Sequence, residues 1–273
     1  MLASLLRDLS ISGIGQITTL VHAPLDASTF PATRTVPVAG NLFDVAVREM
    51  QNHDAAWIIA PETGGALLEL TRLAESLGKK VIGPSSSAVE ICGDKRLAYA
   101  RLEGSLDMPE TVLFNDSFNR FPCVVKPADG AGCESTFLLK NRQELQSLHL
   151  PHGDFVVQPY LEGKAMSAAI VCHNGETVLL GVSRQLLEIN GQMKFKGVRG
   201  PIEYQHRDRI GRMVSQIQKN IAGLDGYWGI DFIDCGGNPA LIEINPRLTS
   251  SYPVYSASSK FNIARFAVLG ERA

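Results

Sequence analysis

The sequence lacks the features that usually mark disulfide-bonded, zinc-binding, membrane-spanning and nucleic-acid-binding proteins. Its five cysteines are scattered and form no CxxC pair, which argues against a disulfide framework and a zinc site. No apolar window approaches the length needed to cross a bilayer, and no targeting segment is recognisable. The 26 basic and 28 acidic side chains give a net charge of −2 without long runs of one sign. We therefore expect a cytoplasmic protein that acts on small molecules and binds neither nucleic acid nor a membrane.

The pattern of the chain changes near residue 84. Before that point helical and extended segments alternate, as in a parallel sheet with right-handed crossovers. After it, strands are joined by turns such as Asn174-Gly175 and Asn190-Gly191, which are typical of antiparallel hairpins. The sequence thus predicts a small doubly wound α/β unit over 1–84 and an α+β unit over 85–273. Since the first unit opens with a helix, we expect its usual first strand to be missing or replaced.

Apolar periodicity and turn residues predict the individual elements. In the first unit the predicted strands are IGQITTLVHAP, AAWIIAP and KKVIGPS. The predicted helices cover residues 2–9, 41–52, 66–77, 85–105 and 206–222.

The last predicted hairpin, GYWGIDFIDCGGNPALIEINPR, carries polar residues in apolar strands. If its turn is centred on Gly237, Asp231 lies opposite Glu243, and Gly229 lies opposite Asn245. Facing carboxylates in apolar surroundings are unfavourable unless a cation lies between them. Oxygen ligands without Cys or His favour Mg²⁺ or Mn²⁺, and so sparse a set needs water or phosphate to complete an octahedron. The hairpin therefore predicts a metal site that works with a nucleoside triphosphate.

Two alternatives to this metal site stay open. A shift of the register by one residue would turn Glu243 to the other face of the sheet. Glu243 could also form a structural ion pair with Arg247 or another basic residue, while Asn245 begins a turn with Pro246. The approach of the Asp231 and Glu243 carboxylates decides between these interpretations.

A second candidate binding element is the segment CVVKPADGAGCEST. Lys126 ends an apolar strand, where a buried ammonium group needs an anion. Gly130 and Gly132 allow the backbone to approach a ligand closely and to direct N–H groups at phosphate oxygens. The segment is neither a Walker A loop nor a dinucleotide-binding fingerprint. A plain glycine-rich hairpin turn is the structural alternative.

Two weaker candidates lie on either side of that loop. In FVVQPYLEGK, main-chain groups at Gln158 and Leu161 could pair with an adenine, and Glu162 could reach a ribose. The alternative is an edge strand in which Pro159 blocks further pairing. Lys95 could direct a second ammonium group towards the phosphates, although a lysine on a helix is usually solvated.

Together these motifs resemble, in order and spacing, those of the ATP-grasp superfamily. The matching stretches are Gly93-Asp94-Lys95, Val125-Lys126-Pro127 with its glycine loop, Gln158 to Gly163, Gly229-Ile230-Asp231 and Glu243 to Arg247, and they span nearly the whole chain. Within the superfamily, IAPETGGALLEL, GPSSSAVEICGDK and EINPRLTSSY look most similar to the tyramine–glutamate ligase-type enzymes of methanofuran biosynthesis.

The resemblance implies an ATP-grasp fold with a pre-ATP-grasp domain at the N-terminus. A small lid subdomain would cover about 108–160, and a large subdomain about 161–273. The loop from residue 129 to 134 would fold over the β- and γ-phosphates. The site residues implied are Lys95 and Lys126 at the phosphates, Gln158 and Leu161 at the adenine, Asp231, Glu243 and Asn245 at two Mg²⁺ ions, and Arg247 at the transferred phosphoryl group.

One departure from the family pattern concerns the ribose. Many ATP-grasp enzymes place an acidic residue just after the adenine hinge, but this sequence has Ala165 near that position. We expect Glu162 to substitute for it.

The resemblance also implies an activity, namely ADP-forming ligation of a glutamate-like carboxylate to a tyramine-like amine through an acyl phosphate. Lys194, Lys196 and Arg199 are candidates for holding the carboxylate, and we expect Lys196 to take part in catalysis. A homodimer is a family expectation. The rival hypotheses are an ATP-grasp phosphotransferase that stops at phosphorylation and a non-catalytic nucleotide-binding module.

Overall fold

The computed structural model describes residues 1–22, 34–115 and 117–272. The last two residues of the predicted strand IGQITTLVHAP lie outside these ranges. In the described ranges the α-helices are α1 (Leu2–Ser10), α2 (Leu42–Gln51), α3 (Ala66–Ser76), α4 (Ser86–Gly93), α5 (Lys95–Leu102), α6 (Arg142–Gln146), α7 (Arg207–Asn220), α8 (Tyr252–Ser258) and α9 (Ile263–Leu269). The strands are β1 (Thr18–His22), β2 (Arg34–Val38), β3 (Ala55–Ala56), β4 (Lys80–Val81), β5 (Val112–Leu113), β6 (Cys123–Pro127), β7 (Phe137–Leu139), β8 (Phe155–Pro159), β9 (Lys164–His173), β10 (Glu176–Asn190), β11 (Gln192–Ile202), β12 (Gly226–Cys235) and β13 (Asn238–Asn245).

The N-terminal strands pair in parallel, as the alternation of helices and strands predicts. β1 pairs with β2 and β3 with β4, in two separate two-stranded sheets. α3 buries Leu67, Leu70 and Ala74 on one face, which is the predicted helical spacing. The described strands of this unit therefore form two short parallel pairs rather than one wide sheet.

One nine-stranded sheet forms the centre of the rest of the chain. Its strand order is β13-β12-β9-β10-β11-β7-β6-β8-β5, and neighbouring strands pair antiparallel. The turns at Asn174-Gly175 and Asn190-Gly191 join β9 to β10 and β10 to β11, as predicted. Asn174 and Gly175 both adopt positive φ angles, of 48° and 85°, which asparagine and glycine tolerate best.

The central strands β9 and β12 are buried on both faces. On one face Ile170 and Trp228 join a core cluster with Ile210 and Ile217 of α7. On the other face Val171 and Tyr227 pack with residues of α8 and α9. A smaller cluster around Val125 and Val157 forms the core of the strands from β5 to β8. Burial on both faces explains why the sequence of β9 is an almost continuous run of apolar residues.

The prediction of one helix over 85–105 is wrong, because the chain breaks at Asp94. Asp94 has extended backbone angles, and its side chain accepts hydrogen bonds from the N–H groups of Arg96 and Leu97, at 2.8 and 3.4 Å. It therefore caps the N-terminus of α5. The break places Lys95 at the start of α5, where its side chain is only 7% exposed.

Two short helices near the C-terminus were not predicted. α8 and α9 have seven residues each, too few for apolar periodicity to stand out. They nevertheless bury Tyr252, Tyr255 and Phe266 almost completely. Within the described ranges, none of the helices combines the length and the apolar character that a membrane crossing requires.

Candidate active site

The hairpin of β12 and β13 carries the predicted metal ligands. Asp231 pairs with Glu243, and Gly229 pairs with Asn245. These pairs are the ones that the sequence predicts. Paired residues share a face of the sheet, so the two carboxylates point to the same side, and Asp231 and Glu243 lie within hydrogen-bonding reach.

The turn of this hairpin differs from the prediction. Cys235 pairs with Asn238, so the turn consists of two glycines rather than being centred on Gly237. The register is therefore shifted by one residue at the turn, and a bulge at Ile242 restores the predicted register at the carboxylates. The bulge also allows Leu241 and Ile244 to enter the same buried core, although strict alternation would separate them.

A cleft of about 790 Å³, with the solvent at its mouth included, lies beside the two carboxylates. Strands β6 and β8 contribute one part of its wall, and β10, β12 and β13 another. Seven of the predicted site residues line it: Lys95, Lys126, Gly130, Gln158, Leu161, Asp231 and Glu243. Side chains far apart in the sequence thus meet in one cavity, as the motif order predicts.

Two buried ammonium groups face Glu243. Nζ of Lys95 lies 3.4 Å from Oε2 of Glu243, and Nζ of Lys126 lies 4.0 Å from the same oxygen. Lys95 also donates a 2.8 Å hydrogen bond to the carbonyl oxygen of Gly130. Burial lowers the pKa of Lys126 to about 8, although the Glu243 carboxylate opposes this shift. Both lysines are therefore held where an anionic ligand would meet them.

The pKa values of the two facing carboxylates shift in opposite directions. Desolvation, followed by the charge of Glu243, raises the pKa of Asp231 to about 8. Desolvation also opposes ionisation of Glu243, but the charges of Lys95 and Lys126 outweigh it, so the pKa of Glu243 falls below its usual range. Asp231 is therefore the carboxylate of the pair that takes up a proton more readily.

The residues fit a divalent cation of the Mg²⁺ type. Asp231, Glu243 and Asn245 offer oxygen atoms only, which are the ligands that hard cations prefer. The hydroxyl of Ser167, the β9 partner of Asp231, is buried and has no hydrogen-bond partner. Among the described residues, His, Cys, Asp and Glu form no cluster of three or more that could hold a metal ion. Water or phosphate oxygens would therefore have to complete the coordination shell.

The glycine loop between β6 and β7 closes one side of the cleft. A Cβ atom on Gly130 would lie 2.8 Å from the side chain of Pro127, so glycine is required there. Gly132 has a φ of 67°, but it is not among the described residues that line the cleft. Oδ2 of Asp129 accepts a 2.9 Å hydrogen bond from the N–H of Gly64, in the N-terminal unit. The loop is thus anchored at its first residue.

The predicted adenine hinge lies on the cleft wall at the end of β8. The amide nitrogen of Gln158 donates to the Thr111 hydroxyl at 2.7 Å, so this side chain is already engaged. The N–H of Tyr160 donates to Pro122. Within the described ranges no residue forms a main-chain hydrogen bond with Leu161, which leaves its backbone available to a ligand. Gln158 is paired with Val124 in the sheet, so for a main-chain contact with the adenine this arrangement supports Leu161 more directly than Gln158.

Two residues bear on the predicted ribose contact. Glu162 is exposed and is not among the described residues that line the cleft, whereas Ala165 does line it. The position where many ATP-grasp enzymes carry an acid is therefore on the cleft wall and apolar here. A ribose contact by Glu162 stays a prediction.

Arg247 lies just outside the cleft, not at its wall. Its Nε donates a 2.8 Å hydrogen bond to Oε2 of Glu62, and its Nη2 lies 3.4 Å from Oδ1 of Asn245. Arg247 is thus paired with Glu62 and not with Glu243, whose basic partners are Lys95 and Lys126. Burial raises the pKa of Glu62, although Arg247 opposes that shift.

The predicted carboxylate-binding residues of β11 lie elsewhere. Lys196 forms an exposed ion pair with Glu188 at 2.7 Å and does not line the cleft. Arg199 pairs with Arg184, next to Gln185, which does line the cleft. Since neighbouring side chains of a strand point to opposite faces, Arg199 points away from the cleft.

The same register argument applies to Lys194, which pairs with Glu188. Its neighbour Phe195 pairs with Leu187, which lines the cleft. The structure therefore gives no support to Lys194 and Arg199 as carboxylate ligands, and the role of Lys196 stays a prediction.

Sequence reasoning missed two residues of the site. The side chain of Gln185 hydrogen-bonds to Asp231 and favours its ionised form. Glu62 reaches Arg247 across 185 positions of the chain. A glutamate directly after the apolar run AAWIIAP, and a glutamine within VLLGVSRQLL, were the available signals, but neither indicated a partner.

Comparison with known proteins agrees with this geometry. Residues 92–251 match the model of the ATP-grasp domain, and residues 16–89 match that of the pre ATP-grasp 3 domain. A tyramine–L-glutamate ligase from Methanocaldococcus fervens is 27% identical over 93% of this chain and 81% of that enzyme. The ligase of the same name from Methanocaldococcus jannaschii is 28% identical over 80% of this chain and 63% of that enzyme.

Solved structures give the same result. An ATP-grasp superfamily protein from Archaeoglobus fulgidus aligns with a TM-score of 0.67 and 25% identity, over 89% of this chain and 72% of that chain. The predicted fold, with its N-terminal pre-ATP-grasp domain, is confirmed. The chain belongs to the ATP-grasp domain family.

Proposed function

We propose that this chain is an ADP-forming ligase that joins a carboxylate to an amine through an acyl phosphate. The observation that carries the proposal is the meeting, in one cleft, of the Asp231–Glu243 pair with two buried lysines and a glycine loop. The similarity to tyramine–L-glutamate ligases supports the same chemistry.

The lysines and the loop would bind the triphosphate of ATP. Lys95 and Lys126 now share one carboxylate oxygen, and phosphate oxygens would offer them stronger, charge-assisted partners. The loop that begins at Asp129 lies beside them and would cover the phosphates, which keeps water from the acyl phosphate. The backbone of Leu161 would bind the adenine, and Glu162 the ribose.

Asp231, Glu243 and Asn245 would hold Mg²⁺ or Mn²⁺, and we propose two ions. Held by these residues, such an ion would neutralise charge on the phosphate oxygens when the γ-phosphoryl group passes to the carboxylate. The proton on Asp231 must leave before this residue can act as a ligand. Arg247 would contact the transferred phosphoryl group, and no nucleophilic side chain is required.

The relatives support a choice of substrates. We propose an acidic, glutamate-like carboxylate and a tyramine-like amine, and a role in methanofuran-type cofactor biosynthesis. The five cysteines are free thiols, and we expect the protein to work in the cytoplasm. A homodimer is part of the proposal, and the mass of the purified protein measured by light scattering tests it.

Incubation with MgATP, L-glutamate and tyramine tests the proposed activity. We expect release of ADP and phosphate together with a glutamyl-tyramine product, detected by mass spectrometry. Glu243→Gln should abolish turnover, because it removes a metal ligand. Glu176→Gln, at an exposed ion pair with Arg272, is the control and should leave turnover unchanged.

Other outcomes favour the rival functions. A stable phosphorylated product formed without any amine would indicate a phosphotransferase. Nucleotide binding that survives Glu243→Gln, without turnover of any amino acid and amine in a panel, would indicate a non-catalytic module.

A further inference from the structure

The two units of the chain meet at a short turn of the N-terminal unit, residues 62–65. Glu62 begins this turn, and its side chain is 7% exposed. Its carboxylate accepts the 2.8 Å hydrogen bond from Nε of Arg247, which follows β13. The turn thus reaches the end of the hairpin that carries the metal ligands.

The other donors of Arg247 are also engaged. Nη1 donates to the carbonyl oxygen of Leu248 at 3.2 Å, and Nη2 to Oδ1 of Asn245 at 3.4 Å. Of these three contacts, the one with Glu62 is the shortest and joins opposite charges. A charge-assisted bond of this kind fixes a guanidinium group more firmly than a bond to a neutral acceptor. Glu62 therefore determines the orientation of Arg247 more than its other partners do.

The same turn also holds the glycine loop. The N–H of Gly64, in this turn, donates to Asp129 at the start of the loop. The carbonyl oxygen of the next loop residue, Gly130, accepts from Lys95, which lies outside the turn. A segment remote from the metal ligands in the sequence therefore fixes two parts of the proposed phosphate site, namely the arginine and the start of the loop.

We propose that Glu62 is a positioning residue, which holds the guanidinium group of Arg247 beside the cleft in the orientation from which it would contact the γ-phosphate of ATP. The inference rests on the proposed function, because it requires Arg247 to contact that phosphate. Displacement of such a group by about 1 Å can cost on the order of a hundredfold in rate. Glu62 acts through Arg247 and does not itself touch the nucleotide.

Calorimetric titration with Mg·AMP-PNP and Mg·ADP tests this role, because only AMP-PNP carries the third phosphate. We expect the wild type to bind AMP-PNP more tightly than ADP, and Glu62→Gln to lower that preference by about tenfold while the ADP affinity stays unchanged. Arg247→Ala should lower it at least as much. The double variant should lose no more than Arg247→Ala alone, because Glu62 acts through Arg247.

Two further variants separate positioning from a general loss of stability. Glu49→Gln is the matched control, since Glu49 is equally buried, with 8% exposure, and is paired with Arg34 in the same unit. It should lower the melting temperature but leave the AMP-PNP preference unchanged. Glu62→Asp keeps the charge and should restore part of the preference, and it replaces Glu62→Gln if that variant does not fold.

The results distinguish this inference from the proposed function. If Arg247→Ala lowers the AMP-PNP preference but Glu62→Gln does not, or if their effects add in the double variant, Glu62 is not a positioning residue. If Arg247→Ala leaves the preference unchanged, the role of Arg247 in the proposed function is itself wrong.

Discussion

At the scale of single residues, the site is defined by charges that compensate one another incompletely. Glu243 faces the two lysines, while its partner Asp231 faces Glu243 and keeps a proton. A nucleotide with its metal would replace this arrangement, because phosphates would attract the lysines and the cation would displace the proton. The two lysines therefore carry more positive charge than Glu243 offsets, which favours a polyphosphate as the ligand.

The raised pKa of Asp231 predicts a pH dependence of stability. Between about pH 4 and pH 8 the unfolded chain has lost this proton while the folded protein retains it, so this residue lowers stability as the pH rises. Asp231→Asn removes the effect. We expect its stability relative to the wild type to increase from pH 5 to pH 8 in EDTA, with a slope of up to about 1.4 kcal/mol per pH unit.

Urea unfolding at several pH values measures that difference. The lowered pKa of Glu243 affects stability below this range, whereas the pKa of Lys126, about 8, and the raised pKa of Glu62 contribute within it, so Asp231 is assessed from the difference between the wild type and Asp231→Asn. Mg²⁺ should stabilise the wild type more at pH 8 than at pH 6, and the variant little at either. A difference that does not change with pH would contradict the proposed protonation.

At the scale of elements, the break between α4 and α5 buries Lys95, which one continuous helix would leave exposed to solvent. Apolar periodicity predicted one helix through Lys95, and such a lysine would be solvated. The cap made by Asp94 ends that helix and starts α5, with Lys95 buried as its first residue. The hydrogen bonds that the Asp94 side chain accepts from N–H groups two and three residues away thus determine whether Lys95 can lie in the proposed phosphate site.

Asp94→Ala should therefore affect both stability and binding. Loss of the cap costs about 1 kcal/mol, so the melting temperature should fall. The affinity for Mg·ADP should fall as well, because Lys95 loses its fixed position. Asp94→Asn retains an acceptor for the N–H groups of Arg96 and Leu97 and should keep both properties near the wild type. An Asp94→Ala protein that binds Mg·ADP normally would show that the break is not required.

At the scale of the whole molecule, the two ends of the described chain are bonded together. The carboxylate of Asp8 in α1 accepts hydrogen bonds from the hydroxyls of Tyr252, at 2.6 Å, and Ser256, at 2.7 Å. Its carbonyl oxygen accepts another from Asn262. α1 is therefore part of the C-terminal core rather than an appendage of the N-terminal unit.

Asp8→Ala would leave the fully buried Tyr252 hydroxyl without this acceptor. We expect a loss of about 1–3 kcal/mol in the free energy of unfolding, measured with urea. Asp8→Asn keeps an acceptor oxygen and should lose less. Since none of these residues lines the cleft, the affinity for Mg·ADP should not change. Equal stability of both variants and the wild type would exclude this role of Asp8.

The sequence predicts the parts of this molecule that depend on local pattern. Hairpin turns such as Asn174-Gly175 follow from turn chemistry. The facing of Asp231 and Glu243 was predicted from a turn centred on Gly237, which the structure does not have, and the bulge at Ile242 restores it. The pairing of Glu62 with Arg247 could not be predicted, because nothing local identifies a partner 185 positions away. The direction of Lys194 and Arg199 also depended on the register of β11, which contains irregular pairings.

The bulge at Ile242 compensates for the two-residue turn of the β12–β13 hairpin. Moving one residue between the turn and the bulge leaves the number of residues between Asp231 and Glu243 unchanged, and the two carboxylates still face each other. A hairpin with a three-residue turn and no bulge would therefore present the same pair of carboxylates as this hairpin, with its two-residue turn and its bulge.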